Sequence, residues 1–218
     1  REAALLIEAE KRYGVVTQMG NQGHTSPGAR QFKQLQLAGA IDGIVKIEAY
    51  KGPSLWFMDA AQRINEFPKA EPIPSSLNYD LWCGPAKMMP YSRRYHPFDW
   101  RAFYIYGNGM LGDWGAHIID FAHNYLKLGL PTRIEPLRLD DYNQVIFPLS
   151  SQIRMQFPKR GAGLPACEIL WRDGSDAVPA LDQKYYNSDA SGKLVSPRLG
   201  RAGSILHRKD EKFVIHRG

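Results

Sequence analysis

Disulfide chemistry has almost no material in this sequence of 218 residues, which holds two cysteines, Cys83 and Cys167. Neither belongs to a C-x-x-C pair, so a disulfide framework, a structural zinc site and thioredoxin-like redox chemistry have no support. No apolar run reaches the ~18 residues of a membrane span, and no signal-peptide pattern opens the chain, so no membrane partner is expected. Internal repeats and low-complexity tracts are missing too, which removes solenoids and disordered tails. Histidines with metal-ligand spacing such as H-x-x-x-H are also lacking, so no metal ligand is assigned. The net charge of +6 admits an anionic partner, but the positive residues are scattered. Only Arg198 to Lys212 is locally basic. Asp210 and Glu211 interrupt it and no recognition helix or RNA-binding motif accompanies it, so a solvated surface is expected and nucleic acid is not. The chain starts at Arg1, inside a helical pattern, and reads as a piece of a longer protein; its compartment, cytoplasm or periplasm, stays open.

What is present concentrates in Tyr95 to Asp120, YHPFDWRAFYIYGNGMLGDWGAHIID, where histidines, acids, an arginine and two tryptophans surround a glycine-rich turn. From Leu111 to Leu128, the apolar residues Leu111, Gly115, Ile118, Ala122 and Tyr125 recur at helical steps. Asp113, His117, Asp120 and Asn124 recur on a second stripe. Asp113 and His117 are therefore expected one turn apart on one helix face. A carboxylate beside an imidazole can fix its tautomer and raise its basicity, as a general base acting on a hydroxyl requires. In the alternative, Asp113 caps the first helical turn and His117 is an ordinary half-buried residue; spacing alone leaves both open.

Gly107, Gly109 and Gly112 spell G-x-G-x-x-G after the strand-like Phe103 to Tyr106, the form of a dinucleotide fingerprint. Asp113 and Trp114 follow at once, where a pyrophosphate would have to sit, and Pro136 interrupts the next candidate strand. The glycines are instead expected to permit a sharp strand-to-helix turn.

Elsewhere, Glu2 to Tyr13 reads as a helix and Val15 to Met19 as a short strand. Ser26 and Pro27 open a second helix that ends at Gly39. Ile44 to Tyr50 alternates, with Val45, Ile47 and Ala49 on one face, and begins a second sheet. Lys51 to Phe98 is proline-rich, aromatic and aperiodic, an ordered excursion rather than a linker. Alternation returns at Ile153 to Phe157 and at Cys167 to Trp171, followed by Asp173 and Gly174 as turn residues. Ser204 to Arg208 and Phe213 to His216 read as a hairpin, and Ala177 to Pro197 as a loop. Strand following strand predicts an α+β fold: an open, mainly antiparallel sheet with helices on one face, over residues 43–218, preceded over residues 1–42 by the remnant of a doubly wound Rossmann domain. The other sheet face, carrying Tyr50 and Leu170, is expected to need water or a partner.

The strings GVVTQMGNQGH, YHPFDWR and GDWGAHIID resemble the glucose-fructose oxidoreductase / inositol dehydrogenase (Gfo/Idh/MocA) family, well over Arg1 to about Leu128 and loosely beyond. The resemblance implies an NAD(P)-dependent oxidoreductase acting on a sugar or polyol hydroxyl. His117 would be, or would assist, the base, and Asp113 would orient it and touch substrate. It further implies that Arg101 contacts substrate or cofactor, and that Gln22 and His24 lie on the cofactor side. Trp82, Tyr95, His96 and Trp100 are candidate wall residues of the substrate site, although Trp56, Trp82, Tyr91 and Tyr95 could equally form the long loop's own core instead of stacking on sugar rings. The resemblance also implies self-association through the C-terminal sheet. The family's phosphate-binding glycine turn and the lysine of its E-K-P motif are both missing, so NAD or NADP is expected to bind this chain weakly or not at all. Two alternatives accompany this reading: a keto-sugar lyase or hydrolase on the same scaffold, and a non-catalytic binding or assembly domain.

Overall fold

The computed structural model describes residues 2–20, 22–23, 26–53, 56, 63–161 and 163–217, with the side chain of residue 217 left aside. In chain order, the strands are β1 (Ile44–Lys51), β2 (Arg133–Asp140), β3 (Ser150–Phe157), β4 (Cys167–Asp173), β5 (Asn187–Ser188), β6 (Leu194–Val195), β7 (Ala202–Arg208) and β8 (Phe213–Arg217). The helices are α1 (Glu2–Tyr13), α2 (Pro27–Leu37), α3 (Tyr79–Cys83), α4 (Gly109–Ile118) and α5 (Asp120–Tyr125). Six strands form one sheet in the order β2-β3-β4-β1-β7-β8. Only β1 and β4 run parallel; every other neighbouring pair is antiparallel. The α+β fold with a mainly antiparallel sheet is thus what the alternation predicts.

Strand period sorts the residues. Ile47 and Ala49 of β1, Ile169 and Trp171 of β4, Phe157 of β3 and Leu206 of β7 share one core with Ile118 of α4, Ala122 of α5 and Phe32 of α2. Each aliphatic or aromatic side chain sealed there contributes about 1.5–3 kcal/mol relative to exposure. Trp171 is fully buried, and its indole N–H is satisfied by donating to Asp173 Oδ2 at 2.7 Å. Pro136 sits on the edge strand β2 at a register shift, where its missing N–H interrupts no central ladder. At α2, Ser26 Oγ accepts from Ala29 N at 3.2 Å, with Pro27 as the first helical residue, as its sequence signature predicts.

The opposite face is ionic. Glu135 pairs with Arg133 and Arg154, Arg154 with Glu168, and Glu48 with Lys46, Arg172 and His207. Its apolar part is covered by the chain itself: Tyr50, Ala177 and Ile205 form a second cluster with Leu181 and Leu199 of the segment after β4. Tyr50 and Leu170, expected to need water or a partner, are 0% and 8% exposed.

Four further expectations are corrected. Val15 to Met19 is not a strand. Both edges of the neighbouring candidate β1 are occupied by β4 and β7, and Val16 and Met19 are exposed. Phe103 to Tyr106 contributes a single bridge, Phe103 to Ile146, and then turns. The 177–197 segment is not wholly irregular, since β5 and β6 pair within it. Asp173 is the last residue of β4 rather than a turn residue, and it is buried. No helix among the described residues is long and apolar enough to cross a membrane.

Candidate functional site

Three glycines aim α4, each because a side chain would collide. A Cβ on Gly107 would lie 2.4 Å from the carbonyl oxygen of Arg101, and one on Gly112 2.2 Å from Asn108 Cβ. Gly109 has φ +61°, and its Cβ would enter the Phe147 ring at 2.6 Å. Gly109 is the first residue of α4 and Gly112 lies inside it. At Gly109, the glycine at which a fingerprint loop lets the pyrophosphate approach the backbone, the Phe147 ring stands instead, and this G-x-G-x-x-G does not fit a dinucleotide.

Asp113 and His117 both project from α4, as their spacing predicts. Asp113, however, is tied to arginine: its Oδ1 lies 3.4 Å from Arg101 Nε. Arg101 follows Asp99 and Trp100 in a short 3-10 turn, donates from Nη1 to the Phe98 carbonyl at 3.1 Å, and stacks its guanidinium over the Trp100 and Phe98 rings at 4.5 and 4.9 Å. Trp100 thus reaches the site by supporting Arg101. No described residue hydrogen-bonds the half-buried His117 ring, whose aromatic neighbour is Trp114 at 6.3 Å. The expected carboxylate–imidazole bond is therefore not formed. Asp113 lies one turn before His117 on the same helix but is paired with Arg101, and both ring nitrogens of His117 are free of described protein partners.

One turn beyond His117, Phe121 lies 3.4 Å from where a Cβ on Gly23 would be, so the loop carrying Gln22 passes this end of the helix. Gln22 itself is exposed. His24 lies outside the described residues.

Lys51 had no motif to announce it. Its parity with Ile47 and Ala49 was the available signal, since β1 continues through it on the helix-facing side. It is 4% exposed, donates to the Gly52 and Pro53 carbonyls at 3.3 Å each, and places its ammonium 4.7 Å from the Trp114 ring centre. Burial pushes this amine down from its ordinary range, Arg201 adds to the push, and Asp173 and Asp113 oppose it. Asp173, its register partner on β4, is pushed up by burial against the bonds it receives from Ser151 and Trp171.

The aromatic wall divides. Tyr95 is 1% exposed, wedged between Phe103 and Tyr106 at 4.7 and 5.2 Å, with burial raising its phenol to about 12; it is core and offers no surface to a substrate. Trp82 packs on Tyr79, Tyr106 and His96 at 5.1–5.7 Å, within the excursion's own aromatic cluster of Tyr79, Cys83 and Tyr91. Among the described residues, no three histidine, cysteine or acidic side chains converge as a metal site would need, and the His96 ring packs on Trp82 at 5.7 Å.

Residues 41–135, just under half of the chain and including both Asp113 and His117, match the family described as "Oxidoreductase family, C-terminal alpha/beta domain". No curated protein matches the chain.

Proposed function

We propose that the chain, whose residues 41–135 match the C-terminal alpha/beta domain of the Gfo/Idh/MocA oxidoreductase family, is the substrate-binding and proton-transferring part of an NAD(P)-dependent dehydrogenase of a sugar or polyol hydroxyl. The observation that carries this reading is His117, half-buried on α4 beside Asp113, with ring nitrogens that no described residue engages. Neutral imidazole there can accept the proton of a substrate hydroxyl. Asp113, with only Oδ1 directed at Arg101, has Oδ2 for a second hydroxyl, and the Arg101 guanidinium, held flat by Phe98 and Trp100, offers further donors. Polyhydroxylated ligands fit such a set of acceptor, donor and base better than a single carboxylate or phosphate does.

The nicotinamide group would supply the hydride acceptor. None of the described residues forms a cradle for its pyrophosphate, so the dinucleotide-binding part is assigned to another segment of the protein. Gln22, and His24 beside it in sequence, are the candidates on the cofactor side. The reading is tested by assaying the chain joined to its dinucleotide-binding domain against aldoses, inositols and linear polyols, with NAD⁺ and NADP⁺ in turn. Reduction of either nucleotide by at least one such substrate is expected; none with any would overturn it.

A further inference from the structure

A cavity of about 270 Å³ opens between the first turn of α4 and the helix-facing side of β2, β3 and β4. Asp113 and His117 do not line it. The two most buried polar residues that do are Asp173 and Ser151, at 5% and 6% exposure. Ser151 Oγ donates to Asp173 Oδ2 at 2.5 Å and Trp171 Nε1 donates to the same oxygen at 2.7 Å; the Ser151 backbone N–H also donates to this carboxyl, and no described side chain donates to Oδ1. Above this carboxyl the walls are apolar, built by Leu111, Pro136, Phe147 and Ile153. At the mouth stand the exposed Tyr104 and Asn108.

This arrangement selects by polarity in layers. A buried acceptor gains from a donor that reaches it and discriminates against a ligand lacking one. Charge is disfavoured in either sign. An anion would meet Asp173, and a cation would have to compete with the Lys51 ammonium, in register with Asp173, while Arg138 is already paired with Asp140 and Asp176. The volume suits a single ring, since apolar cavities of about 150 Å³ hold benzene.

We propose that this cavity is a binding site, separate from the Asp113–His117 site, for a small neutral alcohol whose apolar ring fills the walls and whose hydroxyl donates to Asp173. The site needs no nucleotide and no turnover, so its fate is independent of the dehydrogenase reading.

The probes are four molecules with one ring: cyclohexanol, methylcyclohexane, cyclohexylamine and cyclohexanecarboxylate. Methyl NMR shifts of Leu111 and Ile153 in this chain report occupancy. Cyclohexanol is expected to give saturable shifts and to bind roughly tenfold more tightly than methylcyclohexane, the value of about one buried hydrogen bond; the two charged analogues should give none. Leu139 lines the cavity yet is 40% exposed on the edge strand, so Leu139→Trp fills the space from outside. It should abolish the shifts with melting unchanged. The proposal is overturned if cyclohexanol does not saturate, if methylcyclohexane or a charged analogue binds as well, or if a folded Leu139→Trp protein still binds.

Discussion

Arg101 and Glu48 show how single side chains set the electrostatics of the two sheet faces. Arg101 reaches Asp113 from a guanidinium stacked on two rings, so Arg101→Lys keeps the charge but gives up the flat stack and the fork. In the assembled enzyme, KM for the sugar or polyol should rise about tenfold with turnover changed less than about threefold, the pattern of lost binding in ground and transition states alike. Steady-state kinetics decides it, and a turnover loss at unchanged KM would contradict the assignment. Glu48, 14% exposed at its side chain, is held down to about 2, chiefly by the hydrogen bond from His207, with Lys46 adding to it against the cost of burial. A depressed carboxyl contributes stability that is complete above the unfolded value near 4.5 and is lost as pH falls towards 2. Glu48→Gln should therefore lower the melting temperature at pH 7, and the gap from the parent should narrow between pH 4.5 and 2. A pH-independent gap would show that packing, not charge, is what Glu48 supplies.

At the scale of elements, α4 is the piece on which the site depends, and its first residue is the most exacting. Gly109→Ala combines a positive φ, costing about 1–2 kcal/mol, with overpacking against Phe147, costing about 1–3 kcal/mol. Gly14→Ala has the same φ but open space, so urea unfolding should show the first of these costs alone. Equal effects would mean that Phe147 yields freely. Much of this element was legible in advance, because helical steps put Asp113 and His117 on one helix and Asp113–Trp114 argued against a phosphate loop. Three things were not. Arg101 lies twelve residues from Asp113, so no local period could show it as the aspartate's partner instead of His117. For Tyr95 a ligand wall and the loop's own core both stayed open, because aromatic content in an aperiodic stretch does not reveal which rings face inward; its burial decides for core. Lys51 and Asp173 are polar residues at strand ends on the inward parity, where the first reads as the start of the aperiodic excursion and the second as a turn residue.

For the molecule as a whole, the division between an apolar helix-covered face and an ionic outer face was readable from period 2, but not the covering of Tyr50 and Ile205 by the 174–199 segment, which has no period. That covering changes the form that self-association through the sheet would take. With Tyr50 and Leu170 already buried, a partner would meet mainly charges, so a dimer formed there should weaken with salt. Light scattering should give twice the 24.7 kDa chain mass at low ionic strength, falling towards it as salt is added; the single-chain mass at every dilution and salt level would contradict pairing. Calorimetric titration of this chain alone with NAD⁺ or NADP⁺ should show no binding at micromolar concentration, since the Phe147 ring stands where the second glycine of a fingerprint would admit the pyrophosphate.

The central claim is that His117 takes the substrate's hydroxyl proton while a nicotinamide takes the hydride. Its most direct measurement is the turnover of His117→Ala in the chain joined to its dinucleotide-binding domain, at saturating sugar or polyol, with nucleotide affinity determined in parallel. Turnover should fall about 10²- to 10⁴-fold with nucleotide affinity nearly unchanged, the loss expected when a general base is removed. Turnover equal to that of the parent would contradict it and leave His117 as a half-buried residue of α4.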